Sequence, residues 1–243
     1  MARTNYGKKE KGNSKFVIVA PHAGGDDLRT QELAEEIGQL ISASVVINEA
    51  YVQSTSSRAY KSIYVEDFNN LPWSDSRKEY EWNKRRTPMK EFYEHIKEYS
   101  QEARKNADGS AIIVYIHGMD DDGTNLGIDI GFGAKYHGGR LKGAQVNQEK
   151  HPDSGNYTGY IRARSEDIEK LQKVLSEKLK ADYAMHVGIG ERYVAWSRQN
   201  GIQYHAGTPD YSFQLEISSF LRKPNRIKYT AKLIADGLKM VYK

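Results

Sequence analysis

The sequence predicts a single α/β domain built as three layers, with helices on both faces of a mostly parallel or mixed central sheet. Three observations carry this. Two short β-branched apolar runs, Lys15 to Ala20 and Ala111 to Ile116, have the pattern of buried strands. Segments with apolar residues at helical spacing alternate with strand-like runs along the chain. A length of 243 residues, without internal repeats or a low-complexity linker, fits one core better than two. The domain is expected over residues 15–243, behind a flexible basic segment, 1–14, that contains Lys8, Lys9 and Lys11.

The first strand ends at Pro21, and the glycine-bearing turn from Pro21 to Asp27 leads into a helix with Leu33, Ala34, Ile37, Leu40 and Ile41 on one face. Val45 to Ile47 and Ser62 to Val65 are the next strands, followed by the loop Glu66 to Pro72. Met89 to Arg104 is helical, with Phe92, Ile96 and Tyr99 aligned. The strand Ala111 to Ile116 then stops at His117-Gly118. A strand from Ile128 to Gly133, a long helix from Ser165 to Leu179, a glycine-rich turn at Val187 to Gly190 and a helix from Arg192 to Gln199 come next. The strand Tyr211 to Ile217 and a helix from Ile227 to Met240 close the alternation.

Composition removes several classes of function. The net charge of +4 comes from 36 basic and 32 acidic residues, mostly interleaved, which argues against a nucleic-acid-binding surface. The apolar run Phe16 to Ala20 is too short for a signal sequence or a membrane span, so a cytoplasmic enzyme without a membrane partner is expected. With no cysteine, a transition-metal site must be built from histidine and carboxylate.

In open α/β sheets the ligand crevice lies outside the carboxyl ends of the strands. Residues just after apolar runs are therefore placed for chemistry, and His22 and His117 both stand there. A single histidine at a turn is as readily a satisfied polar residue as a ligand. The second strand-end histidine and the acidic pair Asp26 and Asp27 favour a metal, and Gly24 and Gly25 permit the tight bend that brings a carboxylate beside His22. Two histidines and one carboxylate form the ligand set of many catalytic zinc sites, which keep a fourth position for water. Such a site also needs a carboxylate that is not a ligand, to carry a proton. Glu216 is the candidate, because alternation puts Gln214 and Glu216 on one face of an otherwise apolar strand. The same pattern fits an edge strand with a solvated polar face. His137 is a candidate hydrogen-bond donor to a developing oxyanion.

Taken together these motifs resemble the N-formylglutamate amidohydrolase-like hydrolases, including the phage-type poly-γ-glutamate hydrolases, which share the zinc carboxypeptidase-like fold. The first motif runs from Pro21-His22 to Asp27 and on to Thr30 and Glu32; the second closes the strand at His117-Gly118; the third is Gln214-Leu215-Glu216-Ile217 followed by Leu221-Arg222. The resemblance implies one Zn²⁺ per chain held by His22, Asp27 and His117, with Glu216 as catalytic acid and base. It implies a glutamyl or related acidic peptide as substrate, or, as an alternative, a small N-acyl amino acid such as N-formylglutamate. The family's substrate loop falls on Asp67 to Asn70, where Asn69 matches and Asn70 replaces the arginine expected to grip a substrate carboxylate. Arg58, Arg162, Arg164 and Arg222 are candidate replacements, with Arg222 preferred for substrate binding beside Asn69 and His137. A non-catalytic polyanion-binding module, using the basic clusters and tyrosines, is the rival from another class.

Overall fold

The computed structural model describes residues 1–25, 27–53, 64–74, 79–107, 109–121, 123–137, 140–143 and 161–243. In chain order the strands are β1 (Ala2–Arg3), β2 (Gly7–Glu10), β3 (Phe16–Ala20), β4 (Ser44–Asn48), β5 (Trp73–Ser74), β6 (Glu79–Tyr80), β7 (Ile112–Met119), β8 (Leu126–Gly131), β9 (Ala134–His137), β10 (Arg140–Gly143), β11 (His186–Ile189) and β12 (Tyr211–Ser218). The helices are α1 (Thr30–Ile41), α2 (Thr87–Lys105), α3 (Ser165–Tyr183) and α4 (Ile227–Val241). Eight strands form one mixed sheet in the order β1-β2-β4-β3-β7-β12-β8-β11. Its centre is parallel: β3 pairs with β4 and β7, and β7 with β12. β8 runs antiparallel to β12, with β11 parallel beside it. This is the mixed α/β architecture that the sequence predicts.

Side-chain alternation divides the core into two layers. Phe16, Ile18, Val114, Ile116, Phe213 and Leu215 face α1, α3 and α4, whose buried stripes include Leu33, Ile37, Leu171, Leu175, Ile234 and Leu238. Val17, Val19, Ile113 and Tyr115 face the opposite side, against Met89, Phe92, Tyr93 and Ile96 of α2. Pro88 in the first turn of α2 suits a position whose N–H has no helical partner. No helix among the described residues is long and apolar enough to cross a membrane.

Three local expectations are corrected. Residues 1–14, expected as a segment outside the domain, contribute to its sheet: β1 and β2 form a hairpin, and β2 pairs antiparallel with β4. Tyr6 is fully buried, edge-on to Phe92 at 5.1 Å between centroids, and its hydroxyl lies 2.8 Å from Nδ1 of His95. Lys8 is paired with Glu35 and Glu49, so the lysines that suggested a solvated tail belong to a charged sheet edge. Val187 to Ile189 lie in β11 rather than a turn. Arg192 to Gln199 form no helix, because the N–H groups of Glu191, Arg192 and Tyr193 donate to the Asp129 carboxylate and Ala195 takes a left-handed conformation at φ 58°. The expected strand Ser62 to Val65 lies partly outside the described residues; Val65 bridges to Val52.

Candidate metal centre and active site

The loop after β3 is fixed at both ends. The N–H of Asp27 donates to the carbonyl of His22 at 3.2 Å, and Thr30, opening α1, donates its hydroxyl to the carbonyl of Asp27 at 2.8 Å. The buried Asn48 amide, at the end of β4, donates to the carbonyls of Pro21 and Tyr51. His117 lies within β7, which continues to Met119, and its register partner on β12 is Glu216. Register partners in a parallel pair share a face, so strand pairing alone brings the second histidine beside the free carboxylate.

His22, Asp27 and His117 each offer a ligand atom, and these atoms lie within 4.8 Å of one another. Oδ2 of Asp27 is 3.3 Å from Nδ1 of His22 and 3.2 Å from Nδ1 of His117. Zinc–ligand bonds of about 2.0–2.1 Å in a tetrahedron put ligand atoms roughly 3.3–3.4 Å apart. The two distances from Asp27 match that spacing. Nε2 of His22 points away from this convergence to Oδ1 of Asp67, at 2.8 Å, as the far nitrogen of a metal-binding imidazole commonly meets a carboxylate. Nε2 of His117 is buried with no hydrogen-bond partner among the described residues. Asp26 lies outside them.

The charges of the cluster are strongly coupled. Burial disfavours a charged His22, but the hydrogen bonds and negative charge of Asp27 and Asp67 outweigh it and push its pKa up to about 10. Burial would raise Asp27, yet its bonds to His117 and His22 hold it well below the usual carboxylate range. His117 is held below the ordinary imidazole value by burial, which Asp27 only partly opposes. The carboxylates of Asp27 and Asp67 thus face a single positive charge on His22, and two histidines with a carboxylate are a donor set that could hold a metal cation. For Glu216, burial reinforced by the negative charge of Asp27 pushes the pKa up to about 8.

Glu216 is not on an edge strand. β12 runs between β7 and β8, and the polar face of Ser212, Gln214 and Glu216 is buried and hydrogen-bonded. A cavity of about 390 Å³ gathers His22, Asp27, His117 and Glu216 with Gln53, Asn69, Tyr193, Trp196, Ser197, Asn200 and Gln214. Oδ1 of Asn69 accepts from the N–H of Gly201 at 3.0 Å, which ties the Asp67 loop to the opposite wall.

Arg222, expected to bind substrate, fastens the surrounding loops in this structure. Its guanidinium is buried and donates to the carbonyls of Ile217, Met119 and Leu28, joining the ends of β12 and β7 to the His22 loop. The guanidinium lies against Gly118, where any Cβ would collide with Cζ, so the glycine after His117 is required by this close approach. Arg162 donates to the carbonyls of His205 and Asp210, and Arg164 pairs with Asp167. Arg58, His151 and the side chain of His137 lie outside the described residues; the His137 backbone ends β9. Tyr193, Trp196 and Asn200 lie in no motif, and Asp67, which opens the motif of Asn69, gives no sign in the sequence that it reaches His22. Asp129 is signalled by its isolation in the apolar run Leu126 to Gly131.

No protein-family model matches the sequence, and no curated protein matches it. Solved structures do match. The structure of a bacteriophage poly-gamma-glutamate hydrolase aligns with a TM-score of 0.51 and 17% identity over 97% of this chain and 88% of that one. N-formylglutamate amidohydrolase from Ralstonia eutropha JMP134 aligns with a TM-score of 0.55 and 10% identity over 96% and 94%. The zinc-free apo form of YNDL aligns with a TM-score of 0.50 and 15% identity over 97% and 90%. At these identities the likeness is one of fold, and the chain has the zinc carboxypeptidase-like α/β fold in which the hydrolases its motifs resemble are built.

Proposed function

We propose that this protein is a zinc-dependent amidohydrolase of the cytoplasm that cleaves an amide bond in a glutamyl or related acidic substrate. The observation that carries the reading is the convergence of both histidine Nδ1 atoms on one oxygen of Asp27, with Glu216 beside them in the same cavity. His22, Asp27 and His117 would hold the zinc ion, which when bound supplies Lewis-acid polarisation of the scissile carbonyl and acidifies water. Asp67 holds the His22 ring in orientation through Nε2. Glu216 takes a proton from the attacking water and returns it to the leaving nitrogen. Its raised pKa keeps the proton on the carboxyl until a cation among its neighbours stabilises the anion.

The substrate class is supported by the ordered motifs and by the named activities of the phage and Ralstonia structures that share the fold. The described walls of the cavity offer a substrate the amides, hydroxyls and rings of Gln53, Asn69, Ser197, Tyr193 and Trp196. The test is metal analysis with a substrate panel, γ-glutamyl chains against N-acyl amino acids, each with and without chelator. Stoichiometric zinc and chelator-sensitive amide cleavage are expected, and Glu216→Gln should retain zinc while losing about 10²–10⁴-fold in rate. Full activity in Glu216→Gln would remove the assigned base. Salt-sensitive binding of polyanions without any cleavage would favour a binding module instead.

A further inference from the structure

We propose that Asn200 and Gln214 form a one-way amide relay that decides which oxygen of Glu216 carries the proton, making Oε1 a permanent acceptor and Oε2 the exchanging oxygen. The kinetic part of this inference rests on the amidohydrolase reading above.

The polarity of the relay starts at a group that cannot turn round. The backbone N–H of Ile202 donates to Oδ1 of Asn200 at 3.1 Å, where Asn200 caps the short 3₁₀ turn Gly201–His205. A backbone N–H only donates, so the Asn200 carboxamide must present its oxygen there and its Nδ2 elsewhere. That Nδ2 donates to Oε1 of Gln214 at 3.0 Å. With its oxygen taken, Gln214 turns its Nε2 to Oε1 of Glu216, at 2.9 Å. Carboxamide orientation is ambiguous for an isolated side chain, and here one backbone N–H fixes Asn200 directly and Gln214 through it.

Packing keeps the relay from reorganising. Gln214 is buried and stands opposite Gly131 on β8, where a Cβ would lie 2.9 Å from Cγ of Gln214. Asn200 is also bridged through its backbone to Asn70, next to the loop that holds Asp67 and Asn69. The carbonyl-type oxygen of a carboxylic acid accepts more strongly than its hydroxyl, so the Gln214 N–H holds Oε1 as the acceptor oxygen. The proton therefore resides on Oε2. In the reaction, a water O–H bond breaks and its proton goes to Oε2 as the oxygen adds to the amide carbon. When the C–N bond breaks, the same proton passes from Oε2 to the departing nitrogen and the carboxylate is restored. Using one oxygen for both transfers spares the carboxyl a rotation between them.

Two experiments test this. Neutron diffraction from crystals of the apo-protein grown in weak acid should show the Gln214 amide deuterons facing Oε1 and a deuteron on Oε2 of Glu216. A deuteron on Oε1, or a Gln214 oxygen facing Glu216, overturns the relay whatever the enzyme hydrolyses. In solution, Gln214→Met keeps the stem without the donor, and Asn200→Asp keeps the acceptor for Ile202 but has no N–H for Gln214. Each should lower kcat about 10- to 100-fold, with KM, zinc content and Tm near the parent values. Unchanged kcat in both variants overturns the proposal, and so does a kcat loss matched by loss of zinc or of Tm, which marks a purely structural role. Wild-type protein inactive on every amide would instead remove the functional reading, leaving the neutron result to judge the relay.

Discussion

At the residue scale the centre is governed by competition for one proton. His22 holds it because two carboxylates face its two ring nitrogens, and zinc must displace it from Nδ1. With the His22 pKa near 10, apparent zinc affinity should rise about tenfold per pH unit through the neutral range, readable by competition with a chromophoric chelator. A pH-independent affinity would mean that His22 is not a ligand. Asp67 acts through the same ring. Asp67→Asn keeps the shape of the side chain and removes the charge, and it should weaken zinc binding about 10- to 100-fold with little effect on Tm in the absence of metal. Arg222 shows the opposite lesson, since an arginine beside a catalytic motif has all its observed bonds with backbone carbonyls and serves the loops.

At the scale of elements, β12 carries the site because it is central. β12 is buried from Ser212 to Ser218, so its polar side is satisfied from within, and Asn200 and the 3₁₀ turn do so through Gln214 and Ser212. The N-terminal hairpin completes the other end of the sheet by covering the edge of β4. Its anchor is Tyr6, enclosed by Phe92 and His95. Tyr6→Ala should therefore cost about 3 kcal/mol in chemical denaturation. A segment that was merely a tail would show no change.

Across the whole molecule, the site stores a pH dependence that zinc should relieve. His22 has its pKa raised from 6.5 to about 10, so its contribution to stability is complete below 6.5 and is lost as pH rises through about 10. Glu216 is raised from 4.5 to about 8, so keeping it buried becomes unfavourable as pH climbs above 4.5. Above pH 6.5, where the buried His117 and His205 are neutral in both states, His22 and Glu216 bind more protons folded than unfolded, and the Tm of the apo-protein should fall from neutral to alkaline pH. Zinc, binding the folded state, should raise Tm and flatten that slope; a Tm indifferent to zinc would contradict the metal centre. The alternation of apolar runs determined the α/β class, and strand ends and period-two patterns, being local properties, put forward His22, His117, the pair Asp26 and Asp27, and Glu216, among which the family resemblance singled out Asp27. The sequence could not tell a central β12 from an edge strand, since both alternate in the same way. Nor could it show that residues 1–14 join the sheet, that Arg192 to Gln199 abandon helix for the Asp129 carboxylate, or that Asp67 reaches His22. Those outcomes depend on which buried groups meet across long stretches of chain, where hydrogen-bond satisfaction in the folded core overrides local propensity.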